Sequence, residues 1–309
     1  HIMRSAAIIQ ILQPHFECEF WTKNPEYVPL IDFTHASLIV EFKHDDVVNE
    51  AHIISNCLAS DDVILLLDGY KFNTEYQSII KKAGINMVCI DDIMQYHFLA
   101  DVIINHAGGI NRQSYSCEPY TNIFLGPEYA LVKPLFYSKA RPERNLSEEK
   151  IFISLGAADP KNDTDKVLQK LIRLSRFEKI HIIIGAANQN FKELQLKYAD
   201  HTSCIFHNNL SGPSIYRLMH SCSYAVLTPS TICYEYMSIG GIVYLYQIAE
   251  NQRNIKEYFI QEKMAFYFEE INNISLREKQ YSLEQQVHIF DHKSPERILK
   301  IFFDLAEKF

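Results

Sequence analysis

The sequence predicts an α/β fold made of two Rossmann-like βα domains, on three observations. Short continuous apolar runs recur with amphipathic segments between them, the rhythm of parallel strands buried on both faces and joined by helices. Several of these runs end in polar residues, as the carboxyl edge of a doubly wound sheet requires. The alternation lapses over the charged stretch 138–150, which lacks apolar periodicity, and then restarts. That lapse reads as an interdomain linker, dividing the chain into residues 1–138 and 139–309.

His1 to Leu12 has helical spacing, with Ile2, Ala6 and Ile9 inward, and a strand is expected at Glu17 to Thr22 after Pro14. A domain of this kind opens on a strand, so the sequence given is expected to begin inside a βα unit, its first strand missing. A helix over Asp45 to Ala59 leads to the buried run Val63 to Leu67, which ends in Asp68-Gly69-Tyr70. A helix over Asn73 to Ala83 and a strand over Asn86 to Ile90 follow, the strand ending in Asp91-Asp92; the next, Ala100 to Ile104, ends in Asn105-His106. After the linker come strand Ile151 to Leu155, helix Asp163 to Leu174, strand Ile180 to Ile184, helix Gln189 to Lys197 and strand Thr202 to Phe206. A helix from Pro213 to Met219 precedes the unit described next, and a last helix, Pro295 to Lys308, is placed to cross back onto the first domain.

The stretch Ser223 to Gln252 reads as one complete βαβ unit. Tyr224 to Leu227 suits a buried strand, and Thr228-Pro229-Ser230-Thr231 marks a helix start at the sheet's carboxyl edge. Unpaired N–H groups and the positive end of the helix dipole make such a start a place to hold phosphate without arginine. Glu235, one turn beyond Thr231, could accept hydrogen bonds from a ribose diol. The alternative is that Ser230 or Thr231 is an ordinary cap and Glu235 a surface residue. After the second strand, Ile242 to Tyr246, Asn251 and Gln252 offer donors and acceptors suited to a sugar, or serve as solvated loop side chains.

Composition sets the limits. The chain has 309 residues, 47% hydrophobic and 22% charged, enough for two solvated cores. A net charge of −8 with no Lys/Arg cluster argues against a nucleic-acid partner. No apolar run approaches bilayer length and the start does not resemble a signal peptide, so a cytoplasmic protein without stable membrane association, and a monomer, is expected. Seven scattered cysteines without a CxxC pair read as reduced core residues rather than disulfides or zinc ligands. No metal or other cofactor is expected.

The residues also resemble a known family. His1-Ile2-Met3-Arg4 matches the end of a G-x-G-H-x-x-R turn, Asp68-Gly69-Tyr70 a D-x-Y after a buried strand, Asp91-Asp92 an acidic pair, and Asn105 a strand-end Asn. Gly126 to Val132 matches G-x-x-Y-A-L-[IV], Ile153 to Asp159 matches I-x-[ML]-G-G-x-D with Ala157 for the second glycine, Ser230, Thr231 and Glu235 match S-[ST]-x-x-x-E, and Asn251-Gln252 an N-Q pair. In this order they resemble the UDP-2,4-diacetamido-2,4,6-trideoxy-β-L-altropyranose hydrolases of pseudaminic acid biosynthesis, which are similar to the UDP-N-acetylglucosamine transferase of peptidoglycan assembly.

The resemblance implies a GT-B architecture, two such domains with a crevice between their carboxyl edges, and inverting, metal-independent hydrolysis of a UDP-sugar at the anomeric carbon. It implies His1 as the base that activates water, with Arg4 and Asn105 near the substrate. Ser230, Thr231 and the Gly156 loop would stabilise the departing UDP, and Glu235 would bind ribose. Tyr70, Asn251 and Gln252 would orient the sugar, and the backbone at Asn209-Leu210 would seat uracil. Two other classes stay open: a UDP-sugar-dependent glycosyltransferase, and a non-catalytic nucleotide-sugar-binding protein. Asp68, Asp91 and His106 are the substitute bases if His1 is not one.

Overall fold

The computed structural model describes residues 1–23, 38–41, 46–59, 62–137, 141–156, 158–185, 187–208 and 210–307, with 38–41 described by backbone alone. Two compact units divide the chain; the second takes Leu135–His292, and the first takes the described residues up to Pro134 together with the last helix.

In the first unit, helix α1 (Ile2–Leu12) precedes strands β1 (Glu19–Thr22) and β2 (Leu38–Glu41), which pair in parallel. Helix α2 (Val47–Leu58) starts where the Asp46 carboxylate accepts from the Val48 N–H at 2.9 Å. Strand β3 (Ile64–Asp68), helix α3 (Thr74–Lys82), capped by Asn73, and strand β4 (Asn86–Ile90) follow. Then come β5 (His97–Phe98), β6 (Val102–Asn105), β7 (Ser116–Cys117) and β8 (Asn122–Leu125). The main sheet has the order β3-β4-β6-β8, all parallel, and β5 pairs with β7 beside it. Alternation along the strands feeds two cores. Val88, Ile90, Val102 and Ile104 pack with α1, while Met87, Cys89 and Ile103 pack with α2 and α3.

The second unit runs β9 (Lys150–Ser154), α4 (Asp163–Leu174), β10 (Lys179–Ile184), α5 (Phe191–Lys197), β11 (Cys204–Asn208) and α6 (Gly212–Ser221). It continues with β12 (Tyr224–Leu227), α7 (Thr231–Ser238), β13 (Ile242–Leu245), α8 (Arg253–Gln261), β14 (Phe266–Tyr267) and α9 (Leu276–Ile289). All six strands are parallel, in the order β11-β10-β9-β12-β13-β14, the doubly wound arrangement. The last helix, α10 (Ser294–Ala306), puts Ile298, Ile301, Phe302 and Leu305 into the first unit's core beside Ile8, Ile11 and Leu12 of α1.

One expectation needs correction. The charged stretch after residue 138 is not a free linker, because its arginines are built into the second unit. Arg144 donates to the carbonyls of Gly240, Met219, His220 and Cys222, and Arg141 donates to those of Gln286 (3.1 Å) and Phe290 (2.7 Å). Guanidinium donors thereby serve the orphan carbonyls where α6, α7 and α9 end. The seven cysteines are free thiols, but not all are core: Cys57 is exposed and Cys18, Cys117 and Cys204 are half-buried.

Candidate functional site

The second unit's sheet order reverses between β9 and β12, and the loops leaving those two strands lie side by side there. Such a reversal is where doubly wound folds take ligands. The Thr228 N–H reaches the Ser154 carbonyl at 3.4 Å, so the turn into α7 is next to the Gly156 loop. Gly156 has φ +92°, a conformation that L side chains rarely adopt, and a side chain there would face Ile248 of the loop after β13.

The two helices that leave these strands differ at their starts. At α4 the Asp159 carboxylate, 2% exposed, accepts from the N–H groups of Asp163 (2.8 Å) and Thr164 (2.9 Å), and Asp163 and Asp165 add negative charge to the first turn. That end is filled. At α7 no side chain caps the helix and no acidic residue lies in the first turn; the Ser230 hydroxyl pairs instead with that of Thr228 at 2.9 Å. An anion at the switch point therefore meets the positive end of α7 and is repelled from α4. Thr231 opens α7, half-buried, and Glu235 is 5% exposed on the same helix, so it is not a surface residue.

One neighbour is already engaged within its own loop. The Gln252 amide oxygen already accepts from the N–H groups of Ile248 (2.9 Å) and Ala249 (3.3 Å), which turns the side chain back on its own loop. Asn251 beside it is exposed, and Leu210 is half-buried. Asn209 lies outside the described residues.

The first unit gathers a second group at the ends of β3 and β4. His1 caps α1 through its carbonyl, and its Nδ1 is 2.6 Å from Asp68 Oδ1. Arg4, one turn on, donates to Asp68 through Nη2 (2.6 Å) and Nε (3.2 Å) and to Asp92 through Nη1 (3.1 Å). Burial alone would raise the Asp68 carboxyl, but the His1 hydrogen bond and the Arg4 charge outweigh it and hold Asp68 below the usual carboxylate range. An ionised Asp68 can only accept from Nδ1 and Arg4 Nη2, 2.9 Å from the same nitrogen, can only donate to it, so the two contacts favour opposite tautomers of His1; with the Nδ1 proton turned to Asp68, the Nε2 lone pair is left to act as a base.

Tyr70 is 41% exposed, its ring edge-on to the imidazole at 4.6 Å and its hydroxyl donating to Asp92 at 3.3 Å. Asn105 ends β6. It is fully buried, its amide donating to the Tyr115 hydroxyl (2.8 Å) and its oxygen accepting from the Ala107 N–H (2.9 Å), so the side chain holds the turn after β6. Arg4 is spent, at 7% exposure, on two carboxylates. Burial, with the Arg4 charge, pushes the His106 imidazole down to about 3, which leaves it a poor base at neutral pH. Asp68 as the partner of the imidazole, Asp92 as the second partner of Arg4 and Asp159 as the cap of α4 were not assigned these roles from sequence. Each is an acid near the end of a buried apolar run, and that was the available signal.

Comparison with known proteins fixes the fold. No family model matches the chain. An uncharacterized protein of Methanocaldococcus jannaschii is 28% identical over 160 residues, 48% of this chain and 32% of that protein, so the match spans about a third of the relative's length. MurG of Acinetobacter baumannii superposes with a TM-score of 0.61 at 13% identity, covering 100% of this chain and 96% of that one. UGT2 of Phytolacca americana, solved with UDP-2fluoro-glucose and pterostilbene, gives 0.62 at 10% identity over 99% and 97%. The kitacinnamycin glycotransferase gives 0.64 at 9% identity over 99% and 96%. The fold is GT-B, with two Rossmann-like domains. Among the described residues no helix is long and apolar enough to cross a membrane, and no group of three or more His, Cys, Asp or Glu could hold a metal ion.

Proposed function

We propose that this chain is a nucleotide-sugar enzyme that takes a UDP-sugar as donor and acts at its anomeric carbon. The observation that carries the reading is the uncapped start of α7 at the switch point of the second unit, next to a glycine loop and beside a helix already closed by Asp159. The N–H groups there would hold the diphosphate and take up the charge that develops as UDP leaves. Glu235 would bind the ribose. In the first unit His1 Nε2 would accept the proton of the attacking oxygen, with Asp68 stabilising the imidazolium that forms.

Two acceptors suit that base. Transfer to a hydroxyl is favoured by the glycosyltransferases among the proteins of similar fold. Attack by water is favoured by the order of motifs shared with the UDP-sugar hydrolases, and the product would then be UDP and a free diacetamido-trideoxy sugar. The experiment is to measure UDP release from a panel of UDP-sugars with and without an added alcohol acceptor. Release without acceptor supports hydrolysis, and release that requires one supports transfer. Tight UDP binding without release in either case leaves a nucleotide-sugar-binding protein, and failure to bind UDP at all overturns the proposal.

A further inference from the structure

We propose that Asp92 is a positioning residue for His1, acting through Arg4: its carboxylate takes up part of the guanidinium charge and so sets how readily the imidazole accepts a proton. The proposal rests on the reading of His1 as the base.

The Arg4 side chain is 8% exposed and lies between two carboxylates. Its Nη2 stands 2.9 Å from His1 Nδ1, and the same nitrogen of the ring is 2.6 Å from Asp68 Oδ1. The imidazole therefore feels two opposed charges at nearly equal distance, Asp68 favouring the protonated ring and Arg4 disfavouring it. Close opposition of this kind makes the outcome sensitive to whatever else compensates Arg4. Among the described residues, the other carboxylate on Arg4 is Asp92, through Nη1 at 3.1 Å. Asp92 reaches the ring by a second route as well. The same Oδ2 accepts from the Tyr70 hydroxyl, and the Tyr70 ring forms one wall against His1.

The other groups around the imidazole do not take this part. Asp68 and Tyr70 come from the end of β3, Arg4 from the first turn of α1, and His106, after β6, is buried and neutral at working pH. Asp91, next to Asp92 in sequence, turns its carboxylate to the Met94 N–H (2.8 Å) and the Tyr115 hydroxyl (3.0 Å) instead.

Asp92→Asn keeps an acceptor for Arg4 and Tyr70 and removes the charge, which isolates the effect. Two readouts apply: the imidazole titration of His1 followed by NMR on histidine-labelled protein, and the acid limb of the kcat/KM profile with a UDP-sugar. With Asn at position 92, Arg4 is less compensated, and both should move to lower pH by about half a unit or more, with little change in KM. Asp92→Glu, which restores the charge, should return both toward the wild-type values. The proposal is overturned if Asp92→Asn leaves the His1 titration in place, or if Asp92→Glu shifts it as far as Asp92→Asn does. Should His1→Ala retain full turnover while the imidazole still responds to Asp92→Asn, the assignment of His1 as base fails and the coupling stands.

Discussion

Ser230→Asp should make the protein more stable and worse at binding UDP, because one carboxylate would occupy the place proposed for the diphosphate. Ser230 has the extended backbone of an N-cap (φ −151°, ψ −172°), yet its hydroxyl is turned to Thr228 and caps nothing. An aspartate there can accept from the first N–H groups of α7 and complement the helix dipole, a gain of about 0.5–2 kcal/mol. The same charge set roughly 5 Å from a phosphate at an effective dielectric near 20 opposes it by about 3 kcal/mol, or on the order of a hundredfold in Kd. Thermal unfolding and calorimetric titration with UDP, run on the same preparation, read the two effects separately. A raised Tm with unchanged UDP affinity would refute the reasoning, since it would show that α7 can be closed without touching the ligand.

Further outcomes are expected on the same grounds. Glu235→Ala should weaken UDP binding by about 1–3 kcal/mol, the range for a hydrogen bond to a charged group, whereas unchanged affinity would remove Glu235 from the ribose site. UDP affinity should survive EDTA, since the proposed holder is a helix start; loss on chelation and return with magnesium would contradict that. His106 is held near 3, below the ordinary imidazole value, so the stability it contributes is complete above about pH 6.5 and is lost as pH falls toward 3, at roughly 1.4 kcal/mol per unit. His106→Gln should therefore flatten the decline in unfolding free energy between about pH 6 and 4, measured by urea titration, while Asp68 adds its loss only further into the acid range.

The sheets were legible because both faces of a parallel strand are buried, and runs such as Leu65 to Leu67 and Ile151 to Leu155 have few other uses. The helix start at Ser230 was legible for a local reason, proline and hydroxyl residues following a strand. What side chains do with their polar atoms was not. Whether Asn105 faces a ligand or a tyrosine ten residues away depends on where Tyr115 lands, and periodicity says nothing of that. The Arg4 contacts to Asp68 and Asp92 join residues 64 and 88 positions apart, each an ordinary surface charge when read locally. Arg141 and Arg144 fell in the stretch read as a linker because carbonyl partners leave no compositional mark. The pairing of His97 with Ser116 in the short β5-β7 ribbon, two residues a strand, is too brief to carry any pattern.

The return of α10 to the first unit bears on how the chain is made. A nascent polypeptide usually folds its leading domain while the rest is still being synthesised. Here the first unit lacks Ile298, Ile301, Phe302 and Leu305, one side of its core, until the second unit has been synthesised. The trailing unit, Leu135–His292, has all its strands and helices emerged before α10 does. Order of emergence is thus inverted relative to order of completion: the half translated second can close first, and the half that carries His1 waits with an apolar face of α1 uncovered. A chain stalled before Ser294 should engage chaperones through that face, and protease protection of the first half should appear only when the final turns of α10 are released.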